Sequence, residues 1–593
     1  MTLLRRSRWQ WRPGYLGGFR QPALVTRLHT ADLPNNSGPH LQLPGGIHAA
    51  ALQSAGYGRS GIDRLLAIMA AAYAALPGSL RYPCFAETAW QVDADGQGTI
   101  ALPSLDPAID LRGAELAIAI VNQFTGAIAP DLDLEVSLAA LRHEMAGRVL
   151  PGINGWHLRR AAFDLGIDLI PAGDKALQFG LGASSRVLVS TMTDRTSSHA
   201  TYLARHKHHS AVLLAARGLP VPQHRLVASS AEAKAAAEAI GYPVVVKPID
   251  LDQGTGVSAW LNTPSEVGSA YARARAVSAG VMVQRHHDGD DVRLTVAEGR
   301  VIKAMKRRAA GVVGDGVHDV AALVALLDAS PETAVRTLDP GFKRLTLDAE
   351  AMEMLEGAGL DAGTVLAAGQ FEPLRRRGNA SSGGAILPLA VAEVHPDNCA
   401  LALAAARSLR LDIAGIDLIV ADIRRSWREV GGVILEVNAM PQIGSLDSPD
   451  IYRDLLALLL PSRGQISATL VVVPDGLEAL TDIAMGKLAT RLGVDGLACR
   501  HGNWNDGARS TLPFRDGFNA ARALLSDPAI RSAAMLMPAS ELLRFGLPVH
   551  GIQRVLLLEI AETSPEMRAR MTSARTLALE HLARLVPLSA ASA

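Results

Sequence analysis

Cysteine is nearly missing from this chain: Cys84, Cys399 and Cys499 are the three in 593 residues. They stand far apart, without the paired spacing of a zinc site or the number a disulfide framework needs, which fits a reducing compartment. Net charge is missing too. Lys plus Arg and Asp plus Glu both number 58, so no overall field recruits nucleic acid or an anionic membrane. No apolar run approaches the length of a bilayer span. The basic start, with Arg5, Arg6, Arg8 and Arg12, leads into no apolar stretch of the signal-peptide kind. The expectation is a cytoplasmic protein with neither a nucleic-acid nor a membrane partner. Aromatics are scarce at 4%, a bias that needs no functional reading.

What is present is ordinary globular material, 49% hydrophobic and 20% charged. Its length exceeds one core and suggests about three or four domains. The expected class is α/β multi-domain. Residues 1–150 read as an α+β domain, with strand-like runs at 23–28 and 116–121 and an Ala-rich helix near 60–75. A second, α/β unit is expected over 151–462. Composition resets after Pro461-Ser462-Arg463-Gly464, and a new strand over 468–473 opens a third domain, 463–593. Between Ala367 and Gly384 lies a polar, aperiodic stretch, read as a loop.

Chemistry concentrates in the second unit. Gly415-Ile416-Asp417-Leu418 and Glu436-Val437-Asn438 lie in apolar runs that read as adjacent buried strands. Period-2 alternation puts Glu436 and Asn438 on one face. With Asp417 they make a set of hard oxygen donors suited to Mg²⁺ held jointly with phosphates. Upstream, Lys247 ends the strand-like run Pro243–Lys247, where a cation is costly unless it meets an anion. The loop Gln253-Gly254-Thr255-Gly256 follows, and its glycines let backbone N–H groups approach phosphate oxygens. The lysine precedes the glycines, so this is not the P-loop order. Lys207 lies in an expected helix. Gln284, on the run 280–284, is placed to accept from an adenine amino group, and Asp291 from ribose hydroxyls. Lys306 and Arg307 end another strand and are candidates to neutralise transferring phosphate. Ser381 and Ser382, within Asn379–Gly384, offer hydroxyls to a carboxylate or phosphate.

The order of lysine, strand-end lysine, Gly-rich loop, Asp and Glu-x-Asn resembles an ATP-grasp carboxylate–amine ligase. More narrowly, the chain resembles the ATP-grasp half of the cyanophycin synthetase family. The matching stretches are Thr191–Lys207, Val312–His318, Asn379–Gly384, His395–Asn398 and above all Leu411–Asn438, with its string RSWREVGG. The similarity covers residues 150–462 well and the first 150 more weakly. It implies an ATP-grasp fold, ATP and Mg²⁺ as cofactors, and amide formation through an acylphosphate. Lys207 and Lys247 would hold phosphates under the loop 253–257, and Asp417, Glu436 and Asn438 would hold the metals. Ser381 and Ser382 would contact the chain end being extended. Relatives imply a homo-oligomer acting on a small-molecule or peptide-polymer substrate.

Full-length relatives carry a second unit, similar to Mur ligases, whose P-loop should follow Gly464. Here Pro474-Asp475-Gly476-Leu477-Glu478 puts Leu477 where the lysine belongs and Glu478 where Ser or Thr should stand. A carboxylate there repels nucleotide. Residues 463–593 therefore read as a degenerate, truncated Mur ligase-like domain. This layout resembles the shorter type-two synthetases, which polymerise β-aspartyl-arginine dipeptides. Gln253 stands where the family has histidine, and Gln284-Arg285 where it has Glu-Glu. Those departures keep two alternatives open: a ligase making a different small amide, and a non-catalytic nucleotide or polymer binder regulating a full-length synthetase.

Overall fold

The computed structural model describes all residues except 1–3, 16–17, 31–46, 48, 60, 79, 126–132, 150–152, 252–254, 332, 334–336, 338–341, 376–377, 379–383, 445–449, 477–480, 559–562 and 586–593. Two compact units emerge from its contacts. One combines Met1–Ser190 with Gly444–Ala593, and the other is Thr191–Ile443. These limits differ from the domain boundaries expected above, which describe units of sequence similarity rather than of packing.

In the first unit, the strands Leu4–Arg6, Gln10–Arg12, Ala23–Thr30, Ala89–Val92 and Gly98–Pro103 form an antiparallel sheet. The helices Gly61–Ala75 and Pro107–Phe124 pack with it around Leu28, Leu66, Ile100 and Ile120. The run 116–121, expected as a strand, lies inside the second of these helices. Six apolar residues fit either element. The N-terminal signal decides: Asp106 accepts from the N–H groups of Ala108 and Ile109, and Pro107 opens the first turn. In the same unit the run after Gly464 becomes the strand Ser467–Val473, paired in parallel with Ser532–Pro538 and Arg554–Leu557. That α/β sheet has six strands.

Among its described residues the second unit holds a two-stranded pairing of Gly311–Val313 with Phe371–Pro373, the latter inside the stretch 367–384 expected as a loop, and two larger sheets. A four-stranded one runs in the order His224–Val227, Val281–Arg285, Val244–Pro248, Ser258–Leu261. One of its faces, with Val227, Val244, Val246, Val281 and Val283, packs on the helices Ser230–Ile240 and Pro264–Val277. A five-stranded antiparallel sheet runs Ala385–Leu389, Arg300–Arg308, Asp290–Ala297, Ile413–Val420, Gly432–Asn438. Val292, Leu294, Ile416, Leu418, Ile434 and Val437 line one face of it, against the helix Pro396–Ser408. Strand alternation leaves the opposite face to Asp291, Arg293, Arg307, Asp417, Glu436 and Asn438.

Candidate functional site

Register builds the site. Asp417 lies opposite Arg293 on one side and Glu436 on the other, Gly415 opposite Asn438, and Asp291 opposite Arg307. Residues directly opposite in antiparallel strands share a face. A bulge makes this work. Leu418 pairs with Ile434 but Asp417 with Glu436, so one extra residue, Leu435, is inserted in the Glu436 strand. Without it, Glu436 would fall on the apolar face with Ile434. The insertion turns it towards Asp417, the re-aiming role bulges commonly play.

Asp417 is buried, its side chain 4% exposed. Arg293 grips both of its oxygens, Nε to Oδ1 at 2.6 Å and Nη2 to Oδ2 at 2.7 Å. Arg307 Nη2 adds a contact to Oδ2 at 3.0 Å and one to Asp291 Oδ1 at 2.7 Å. Burial pushes the Asp417 carboxyl up, but Arg293 and Arg307 outweigh it and hold the group below the usual range. For Asp291 burial wins over Arg307, and the carboxyl is raised. Both guanidinium groups are held above their ordinary value: burial opposes, and the carboxylates, Asp417 foremost, overcome it.

Lys207 opens the helix Lys207–Ala216 and is itself buried. Its Nζ reaches Glu436 Oε1 at 2.9 Å and donates to Leu251 O at 2.7 Å, while its backbone N–H donates to Ile249 O. Ile249 and Leu251 follow the strand that carries Lys247, so Lys207 ties the base of the Gly-rich loop to the oxygen cluster. Lys247 and Gln284 share the face of the four-stranded sheet turned away from its apolar core. Lys247 pairs in register with Met282, and Gln284 with Val245. Both are buried. Gly256 has φ +70°, and a Cβ there would meet Val277 Cγ2 at 2.8 Å, so this position needs glycine. Thr255 beside it is exposed.

The expected residues thus fall into groups. Lys207, Asp291, Arg307, Asp417, Glu436 and Asn438 gather on the polar face. Lys247 and Gln284 share a face of the other sheet. Lys306 points the opposite way from Arg307, pairing in register with Val292, and its Nζ meets Asp290 Oδ1 at 2.5 Å. Asp291, expected near a ribose, lies against Arg307. Gln253, Gly254, Ser381 and Ser382 lie outside the described residues, as do Leu477 and Glu478. Arg293 was not among the expectations. Its signal was readable: a charged residue two positions from Asp291 inside an apolar run shares the Asp291 face.

Among the described residues no three His, Cys, Asp or Glu side chains cluster as a metal site. The oxygen set is two carboxylates plus the Asn438 amide, whose nitrogen lies 3.5 Å from Asp417 Oδ2. Oxygen-only donors on one face fit a hard cation such as Mg²⁺.

The ATP-grasp domain family matches residues 197–301. A cyanophycin synthetase from a Nostoc species is 29% identical over 394 residues, 65% of this chain and 44% of that protein. Residues 197–301 thus carry an ATP-grasp domain, in a chain similar to cyanophycin synthetases. The chain spans less than half the length of that curated relative. The glutathione biosynthesis bifunctional protein of Mannheimia succiniciproducens is 27% identical over 44% of this chain and 35% of its own length. A solved bifunctional glutathione synthetase from Pasteurella multocida aligns over 59% of this chain and 52% of that one. Its identity is 21% and its TM-score 0.39. Among the described residues no helix of this cyanophycin synthetase-like chain is long and apolar enough to cross a membrane.

Proposed function

We propose that this protein is an ATP-dependent carboxylate–amine ligase that works through an acylphosphate and releases ADP and phosphate. The observation that carries the reading is the gathering of Asp417, Glu436 and Asn438 with Lys207, Arg293 and Arg307 on one sheet face. Asp417, Glu436 and Asn438 would hold Mg²⁺, which when bound neutralises phosphate charge and polarises the transferring group. Lys207 and Lys247 bind the phosphates of ATP, and Gln284 accepts from the adenine amino group. A substrate carboxylate oxygen attacks the γ-phosphorus and ADP leaves. An amine nitrogen then attacks the acyl carbon, phosphate leaves, and the amine proton passes to water. Arg307, steadied by Asp291, faces the charge that builds on the transferring phosphoryl group. Lys306, on Asp290, contributes from outside that face. The 253–257 loop, with Gln253, Gly254, Thr255 and Gly256, would close over the phosphates, and Ser381 and Ser382 would hold the end of the acceptor.

The substrate reading follows the cyanophycin synthetase relatives: β-aspartyl-arginine dipeptides joined into a cyanophycin-like chain, in the cytoplasm, by a homo-oligomer. Residues 1–150 correspond to the family's N-terminal domain, 151–462 to its ligase unit, and 463–593 to a Mur ligase-like remnant kept as scaffold. The experiment is ADP release from ATP and Mg²⁺, with the dipeptide, with free Asp plus Arg, and with a short primer, followed by mass spectrometry. Products growing by dipeptide units support the reading. Turnover only with other acid and amine pairs replaces the substrate, and nucleotide binding without turnover on any pair favours the regulator.

A further inference from the structure

Six charged side chains meet on the polar face, three anions (Asp291, Asp417, Glu436) and three cations (Lys207, Arg293, Arg307). Their roles differ by geometry. Lys207 touches Glu436 through its one nitrogen, and Arg307 reaches Asp417 through Nη2 alone, while its Nε and Nη2 both hold Asp291 Oδ1. Single-nitrogen contacts are readily exchanged for phosphate oxygens. Arg293 is different. Its planar fork spends two nitrogens on the two oxygens of one carboxylate, at 2.6 and 2.7 Å, the geometry that fixes orientation as well as charge. The guanidinium carbon chain comes from the strand directly paired with that of Asp417, and its side chain is only 17% exposed.

A carboxylate has about four lone-pair sites. Arg293 occupies one on each oxygen, and Arg307 takes a second on Oδ2. The open site is on Oδ1. We infer that Arg293 is a positioning residue that stays on Asp417 through the reaction cycle and leaves Asp417 to ligate a divalent cation through Oδ1 alone. Lys207 and Arg307 are the cations that change partner when nucleotide arrives. This inference rests on the proposed nucleotide and metal site. It adds that the cation-binding strength of Asp417 is set by a residue that touches neither metal nor ATP.

The test uses the full chain with ADP and Mn²⁺ as probes, read by electron paramagnetic resonance of bound Mn²⁺, without turnover. Arg293→Gln should weaken Mn²⁺ binding in the presence of ADP by about tenfold to a hundredfold, as outer-shell substitutions do. Metal-free ADP affinity should stay within about twofold, because the ADP contacts are elsewhere. Arg293→Lys keeps the charge without the fork and should lose nearly as much. In an Asp417→Asn background, Arg293→Gln should cost nothing further, a non-additivity that a general loss of structure would not give. Unchanged Mn²⁺ affinity in a folded Arg293→Lys protein would overturn the inference while leaving the proposed function standing. Failure of the unaltered chain to bind Mn²⁺ with ADP would instead defeat the proposed function. Should Arg293→Gln fail to fold, the Arg293→Lys comparison decides alone.

Discussion

Two strands in this molecule are almost equally buried and differ in what they bury. Ser467–Val473 in the first unit is covered along six of its seven residues, and the only polar side chain in that covered run is Thr469. Ile413–Val420 in the second unit is covered at seven of eight residues, yet it carries Asp417. A buried carboxylate without partners is strongly disfavoured. Asp417 is tolerated because Arg293 and Arg307 come with it, and those cations in turn occupy strand positions that apolar residues would fill more stably. Such a cluster adds little net stability. It is an expense that the proposed site accounts for, and the strand Ser467–Val473 has no counterpart to it. At the C-terminal end of that strand, where α/β sheets bind ligands, Asp475 accepts from Ser540 N–H and from Arg570.

The largest effect that would separate the two regions is on turnover. Glu436→Gln removes a charge that faces Lys207 and the proposed metals. ADP release should fall by about a hundredfold or more, the scale of losing one preorganised electrostatic group, with the melting temperature nearly unchanged. Next comes stability. Asp417→Ala leaves Arg293 and Arg307 short of a buried partner and should cost about 3 kcal/mol or more by chemical denaturation. The matching change in the other region, Asp475→Ala, should cost about 1 kcal/mol and leave ADP release unaltered. A loss of turnover there would break the comparison by giving the first unit a catalytic part.

The smallest effect concerns pH. In the first unit Asp168 accepts from the N–H groups of His550 and Gly551, and His550 stacks between Tyr15 and His581. Burial lifts the Asp168 carboxyl to about 6 and drops the His550 imidazole to about 3. Ordinary values are about 3.9 and 6.5. The depressed His550 contributes stability that is full above about 6.5 and is lost as pH falls towards 3. The raised Asp168 contributes stability that is full below about 3.9 and is lost as pH rises through 6. Between pH 4 and 6 the two slopes oppose each other and nearly cancel. Asp168→Asn should therefore uncover a stability that rises steadily over that window, measured by calorimetry at several pH values. A flat profile in that variant would contradict the assignment.

Much of the site was legible because strand alternation is. Asp417, Glu436 and Asn438 announce themselves as oxygen donors in apolar runs, and the strand expected over Pro243–Lys247 appears as Val244–Pro248. Alternation alone does not foresee the inserted Leu435, which decides that Glu436 faces Asp417 rather than the core. Nor does it tell Lys306 from Arg307, neighbours in sequence on opposite faces, until the register is known. Arg293 was readable by the same alternation but carries no motif. The 116–121 run shows the converse limit: six apolar residues have no period of their own, and Asp106 with Pro107 settles the matter from outside.

The central claim is that the charged face of the second unit binds nucleotide together with a divalent cation. Isothermal titration of a non-hydrolysable ATP analogue into the full chain, with and without Mg²⁺, tests it most directly. The account predicts binding that Mg²⁺ strengthens and that Glu436→Gln deprives of its Mg²⁺ dependence. No binding, or binding whose Mg²⁺ dependence survives that substitution, would contradict it.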